Sequence, residues 1–154
     1  TQVLSSAASD VYKRQLFTGT ASTVLAALES GTNANSSGNW GYHEVTSYGT
    51  DSSSSGYTRK PVNFNTASGG SATNSGNVTF PAATSNYTNS SGGGSTVTCI
   101  AVMDAATDGN VLFYGQLNSS KEILNGDTFQ ISDANLTISL ALFFRRYLQW
   151  LSRE

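Results

Sequence analysis

MDAATDGNVLFYGQLNSSKEILNGDTFQISDANLTISL, Met103–Leu140, decides the fold. It holds three strand-like runs separated by turn signals. Val111–Leu117 is apolar and aromatic. After Ile123-Leu124 comes Asn125-Gly126-Asp127, and then Phe129 and Ile131 alternate with Thr128, Gln130 and Ser132. Leu136, Ile138 and Leu140 alternate with Thr137 and Ser139. A period of two places each apolar set on one face of a sheet, so these runs predict strands packed on a core. Asn-Gly between alternating runs predicts a type I′ hairpin, with positive φ at both central residues. No residue in the stretch suggests chemistry, which points to a structural or binding module.

Working outward, Thr96–Met103 is apolar on both faces: Val97, Cys99, Ala101 and Met103 on one, Ile100 and Val102 on the other. Such a run predicts a central strand covered on both sides. Cys99, the single cysteine, then reads as a small buried hydrophobe, and no intrachain disulfide or cysteine-based zinc site is possible. Tyr57–Phe64 predicts a strand that Pro61 confines to an edge. The Gly/Ser/Asn loop Asn65–Asn77 and the return at Val78–Phe80 complete a long hairpin with it. Ala82–Ser95 is a second polar loop, and Gly31–Gly56 a third. Thr20–Glu29 predicts a short helix, with Thr20 or Ser22 as cap, Val24, Leu25 and Leu28 as its apolar stripe, and Gly31 ending it. Strands at this spacing predict an all-β fold, an antiparallel β-sandwich of jelly-roll type. Its core is expected to hold Val97, Cys99, Ala101, Val111, Phe113, Phe129, Ile131, Leu136, Ile138 and Leu140.

The 154 residues suit one domain, and only 12% of them are charged, about half the usual share. Between Pro61 and Met103 there is no charged side chain. Ser, Thr, Asn and Gly fill the polar positions, as on surfaces where copies pack together and, equally, on secreted β-proteins. A formal net charge of −2 with scattered Lys and Arg gives no basic face for nucleic acid. No apolar run approaches the ~20 residues that span a bilayer. The sequons at Asn35, Asn77, Asn86, Asn89, Asn118 and Asn135 follow from the Asn/Ser/Thr richness.

Three groups of residues invite a chemical reading. The loop Asp104–Asn110 offers two aspartates and an asparagine, short of the six to eight oxygens calcium takes, so a polar hairpin turn is expected there. His43, the single histidine, lacks any nucleophile elbow to serve and reads as a surface or packing residue. Trp40, Tyr42, Tyr48, Tyr57 and Tyr87 lie in or beside polar loops and are the candidate ligand or partner contacts. Their rings suit stacking on sugars. They suit anchoring loops to the sheet, or packing on a neighbouring copy, better still. No catalytic residue, metal or cofactor is expected.

The motifs DAAT-x-GN-x-LFYG-x-L from Asp104, K-x-I-x-x-GDTF-x-I from Lys121 and LTI-x-L from Leu136 resemble a family of small β-rich bacteriophage virion proteins. These are tail-fibre-like, head-fibre or capsid decoration proteins. Upstream, Gly56-Tyr57-Thr58-Arg59, Val62-Asn63-Phe64, Ser68-Gly69-Gly70-Ser71, Asn74 and Val78-Thr79-Phe80 match the family's GYAR-x-x-VTF…SGGS…N…VTF pattern. Glu44-Val45 matches its short EV segment. The resemblance spans Leu16–Leu140, about four fifths of the chain. It implies a virion structural protein made in the bacterial cytoplasm, acting by assembly with copies of itself and other virion proteins, with host glycans as further partners. A carbohydrate-binding or adhesive module and an extracellular filament subunit are the alternatives.

The ends depart from that pattern. Ser5–Gln15, SSAASDVYKRQ, resembles a translated sequencing-library adapter, so residues 1–15 read as non-native and the domain as 16–140. The family begins with a helix and a strand ending in an ALFT-like segment, of which Leu16-Phe17-Thr18 remains. Residues 141–154 overrun the family's usual end. Phe143, Phe144, Tyr147, Leu148 and Leu151 fall near one helical face there, which predicts an amphipathic tail that is either a docking helix or another sequence-assembly scar.

Overall fold

The computed structural model describes residues 13–34, 38–45, 55–89 and 94–139. The expected helix over 141–154, Leu140 and Tyr48 lie outside them. The fold is all-β and antiparallel, with one α-helix among the described residues. The strands among these residues are β1 (Lys13–Thr18), β2 (Lys60–Pro61), β3 (Ser71–Thr73), β4 (Val78–Thr79), β5 (Thr96–Met103), β6 (Val111–Glu122), β7 (Gln130–Ile131) and β8 (Thr137–Ser139). The main sheet runs β2-β1-β5-β6. Two short ladders, β3 with β8 and β4 with β7, form a further layer.

The doubly apolar run at 96–103 is a central strand, as its composition requires. Leu16 pairs with Ile100 and Phe17 with Cys99, so alternate residues leave the sheet on opposite sides. Phe17, Cys99, Ala101 and Met103 meet the helix α1 (Ala21–Glu29) through Val24 and Leu28, together with Trp40. Leu16, Val97 and Ile100 meet Tyr57, Phe80, Tyr87, Ile123 and Phe129 on the other side. Strict alternation would put Val97 beside Cys99. A register shift between them turns Val97 to the opposite face.

The helix begins at Thr20, whose backbone is extended but whose hydroxyl makes no capping bond. It ends at Gly31, whose φ of +68° suits glycine and whose N–H donates to the Leu28 carbonyl. Val24, Ala27 and Leu28 form its buried stripe, and Leu25 is half-buried. Pro61 sits on the edge strand β2, the position that a residue without an N–H tolerates.

Strand pairing departs from the sequence reading in two places. Asn125-Gly126 does not join a hairpin, because β6 pairs with β5 and β7 with β4. Only Gly126 has positive φ, +91°, while Asn125 is not among the left-handed residues. The Asp127 N–H closes the turn on the Leu124 carbonyl at 3.0 Å, a type II arrangement. The turn docks instead on an upstream loop. Gly126 N–H donates to the Ala83 carbonyl (2.7 Å), Ala83 N–H to Asp127 (2.8 Å) and Tyr87 N–H to Ile123 (3.0 Å). The long hairpin from Tyr57 to Phe80 is likewise shorter than expected. Asn65 and Ser75 N–H groups bond the Thr73 and Asn63 carbonyls, but Val78–Phe80 then leaves to pair with Phe129–Ile131.

The chain also enters the sheet earlier than Leu16. Lys13, Arg14 and Gln15 pair with Met103, Val102 and Ala101 inside β1. Gln15 is fully buried, and among the described residues neither end of its amide meets a hydrogen-bond partner.

Val97, Cys99, Ala101 and Phe129 are buried as expected. Val111, Phe113, Ile131, Leu136 and Ile138 are only half-buried. The second layer is built of two- and three-residue ladders, too short to cover the whole main sheet, and β6 lies at its edge.

Candidate functional site

Three of the five aromatic candidates are interior. Tyr57, fully buried, accepts a 2.9 Å hydrogen bond from the Leu16 N–H at its phenolic oxygen. Its ring stacks on Phe80 at 5.7 Å and 10° and meets Tyr87 edge-on at 5.7 Å. Phe80 meets Phe129 edge-on. The four rings form a continuous aromatic core, in offset-stacked and T-shaped geometries that complement the ring quadrupoles. Burial, and next the nearby Glu44 carboxylate, hold the Tyr57 hydroxyl well above its ordinary pKa, and burial raises that of Tyr87 to about 12. Both rings are neutral at physiological pH and anchor loops to the sheet. Trp40, also fully buried, packs under α1. Tyr42 is half-buried and sets its ring edge-on to that of buried His43.

Around Trp40 the fold assembles a node that spacing in the sequence did not reveal. The Arg59 guanidinium grips both oxygens of Glu44, Nε to Oε1 at 2.9 Å and Nη2 to Oε2 at 3.0 Å. Its third nitrogen, Nη1, donates to the carbonyls of Ala105 (3.2 Å) and Asp108 (2.8 Å). Its carbon lies 5.7 Å over the Trp40 ring, within cation–π reach. The pair is almost wholly buried, with side-chain exposures of 8% and 6%. A forked, planar cation suits this role, because it satisfies a carboxylate and two carbonyls at once. Three segments carrying the virion resemblance, Glu44-Val45, Gly56–Arg59 and Asp104–Asn110, thus converge on one arginine.

The Asp104–Asn110 loop is a polar turn. Asp104 Oδ1 accepts from the Asn110 N–H at 2.7 Å and Oδ2 from its side-chain amide at 2.8 Å. These bonds favour the ionised carboxylate and lower its pKa. The Asn33 amide donates to Asp108. Among the described residues no three His, Cys, Asp or Glu side chains gather to hold a metal ion. Cys99 is buried, and its desolvated thiol has a raised pKa, which suppresses the thiolate.

A second feature is concave. Between the main sheet and β8 lies a groove of about 420 Å³, lined by Val102, Phe113, Gly115, Leu117, Leu136 and Ile138. Its wall is made by the half-buried residues whose alternation predicted a core. Among the described residues no helix is long and apolar enough to cross a membrane.

Comparison with curated proteins finds no match. Comparison with protein families finds one described as "Podophage GP4 fiber I protein gp80", matching residues 41–139. That span takes in Arg59 with its Glu44, Ala105 and Asp108 partners, the aromatic core and both short ladders. It covers well over half of the 154 residues, and the chain therefore belongs to this podophage fibre protein family.

Proposed function

We infer that the protein is a structural subunit of a phage virion, a fibre component that works by assembly and not by catalysis. The family match carries this reading. The site chemistry agrees with it. The best-placed ionisable groups, Arg59, Glu44 and Asp104, are engaged in holding loops together, and three of the five candidate rings lie in the core. The partners are other virion proteins and copies of the same chain. The uncharged stretch from Pro61 to Met103 supports close packing, since it opposes no like charges across a contact. A fibre location is favoured over capsid decoration because the matching family is described as a fibre protein.

The test is to label the protein in purified virions with a specific antibody and image them by electron microscopy. Label along a projecting appendage supports the fibre reading, and label confined to the capsid lattice redirects it to decoration. Virions that lack the protein altogether, while infected cells contain it, refute a structural role. Of the aromatic residues considered for glycan contact, Tyr42 alone among those described is not buried. Host glycans remain part of the proposal only through that residue and Tyr48.

A further inference from the structure

The Asn125-Gly126 turn joins a reactive dipeptide to a loop that restrains it. Of the chain's asparagines, Asn125 alone precedes glycine. An asparagine loses its side-chain amide when the next backbone nitrogen attacks Cγ, and a following glycine, with no Cβ, leaves that nitrogen least crowded. Asn125 and Gly126 are both exposed, and among the described residues the Asn125 carboxamide makes no hydrogen bond. The attacking nitrogen, in contrast, is engaged. Gly126 N–H donates to the Ala83 carbonyl at 2.7 Å, and Asn125 N–H to Asn86 Oδ1 at 2.9 Å. Ala83 N–H donates to the Asp127 carbonyl and Tyr87 N–H to the Ile123 carbonyl. The 83–87 segment thus fixes the backbone on both sides of the Asn125 side chain, and it holds the proton that the reaction must remove.

We propose that Asn125 is a latent deamidation site and that the 83–87 segment is its guard, so that modification proceeds while the turn stands undocked. In the open turn the Gly126 nitrogen gives its proton to solvent and bonds to Asn125 Cγ. The Cγ–Nδ2 bond breaks, the departing nitrogen takes a proton from water and leaves as ammonia, and a succinimide ring remains. Water then opens the ring at either carbonyl, giving aspartate or isoaspartate. One water is consumed and one ammonia released, with no oxidation or reduction. Isoaspartate adds a methylene to the main chain. The bonds from Gly126 to Ala83, from Ala83 to Asp127 and from Asp127 to Leu124, at 2.7, 2.8 and 3.0 Å, then cannot all re-form. The new carboxylate also stands two residues from that of Asp127, which already accepts from the Leu124 N–H. The mark therefore keeps its own guard off, and it loosens the segment that carries Tyr87 into the aromatic core. The proposal does not rest on the virion assignment, because the purified protein is enough to test it.

Peptide mapping by mass spectrometry follows the conversion in the full chain, incubated at pH 8 with and without guanidinium chloride. In denaturant Asn125 is expected to convert fastest of the asparagines, and in the folded chain at least about tenfold more slowly, since a local opening must precede attack. Asn86→Ala, at an exposed position, removes the acceptor of the Asn125 N–H. It is expected to speed conversion in the folded chain by about threefold or more, with an unchanged circular dichroism spectrum. Asn125→Gln, which would have to close a larger ring, is expected to stay intact. Folded chain enriched in isoaspartate is expected to melt below wild type. Conversion in denaturant that is no faster at Asn125 than at the chain's Asn-Ser positions overturns the site. Equal rates in the folded and denatured chain, an Asn86→Ala rate equal to wild type, or an isoaspartyl chain that melts with wild type each overturn the role given to the 83–87 segment.

Discussion

Without the Glu44 carboxylate, the Arg59 guanidinium would stay buried with two carbonyls and the Trp40 ring, and no opposite charge among the residues it is seen to bond. Breaking one side of a buried, hydrogen-bonded pair typically costs about 3–5 kcal/mol, far above the 0–1 kcal/mol of an exposed pair. Glu44→Ala is expected to cost that much in denaturant melts, and Arg59→Lys to destabilise as well, because an ammonium cannot span the same four acceptors. Phe129 is 8% exposed and closes the aromatic core, so Phe129→Ala is expected to cost about 3–5 kcal/mol. A loss under about 1 kcal/mol would remove Phe129 from the core. The buried tyrosines add a pH dependence. The folded state holds both hydroxyls above the ordinary value of 10, with Tyr87 at about 12. Above pH 10 the unfolded chain releases protons that the folded chain keeps. The tyrosine contribution is therefore complete below pH 10, and stability falls as pH rises toward 12. In urea midpoints measured from pH 8 to 12, Tyr87→Phe is expected to flatten that fall. The aromatic residues were legible as candidates because they stand out among Ser, Asn and Gly. Their burial was not, since a ring anchoring a loop and a ring offered to a ligand have the same flanking sequence. The Arg59–Glu44 pair was hidden for another reason. No periodicity links residues 15 apart in loops, and the one available signal was the scarcity of charge around them.

At the scale of elements, local signals were read well where the element closes on itself. The helix from Ala21 and the central strand from Thr96 follow from pattern alone. Asn125-Gly126 shows the limit of that reading. The dipeptide does mark a turn, but the 83–87 segment captures its backbone groups, and the flanking strands pair elsewhere. Nothing lies within 4 Å of a Cβ at Gly126, so a substitution there is opposed by backbone strain alone, about 1–2 kcal/mol for a left-handed residue. Gly126→Val is expected to lower stability by at least that amount, and a stability equal to wild type would show that the turn relaxes to negative φ. The pairing of Lys13–Gln15 within β1 was not legible because the segment is polar in sequence, and only its partner β5 reveals it as part of a sheet strand. A chain beginning at Leu16 is therefore expected to melt on the order of 5 °C or more below one beginning at Lys13. Equal melting temperatures would mean that those three rungs contribute nothing.

For the molecule as a whole, the sequence showed the antiparallel all-β class and the main core strand, because alternation is a property of each strand. How the strands are shared among sheets was not legible, since many short strands of similar composition compete for the same partners. The half-buried wall of Phe113, Leu136 and Ile138 is the visible result: three residues patterned for an interior, around a groove. The order of strands in the main sheet also bears on how the chain reaches this state. β5 and β6 are neighbours in sequence, but β1 meets β5 across 79 to 90 residues of chain. During synthesis β1 leaves the ribosome first and has only the two-residue β2 to pair with until β5, ending at Met103, has followed. The β5–β6 hairpin forms locally and quickly, and closing the long loop that brings β1 to it is the slow event. A newly made chain therefore passes through an interval in which one flank of its most apolar strand is open to any neighbour. In a cell producing many copies at once, the speed with which β1 docks decides between a folded subunit and an aggregate.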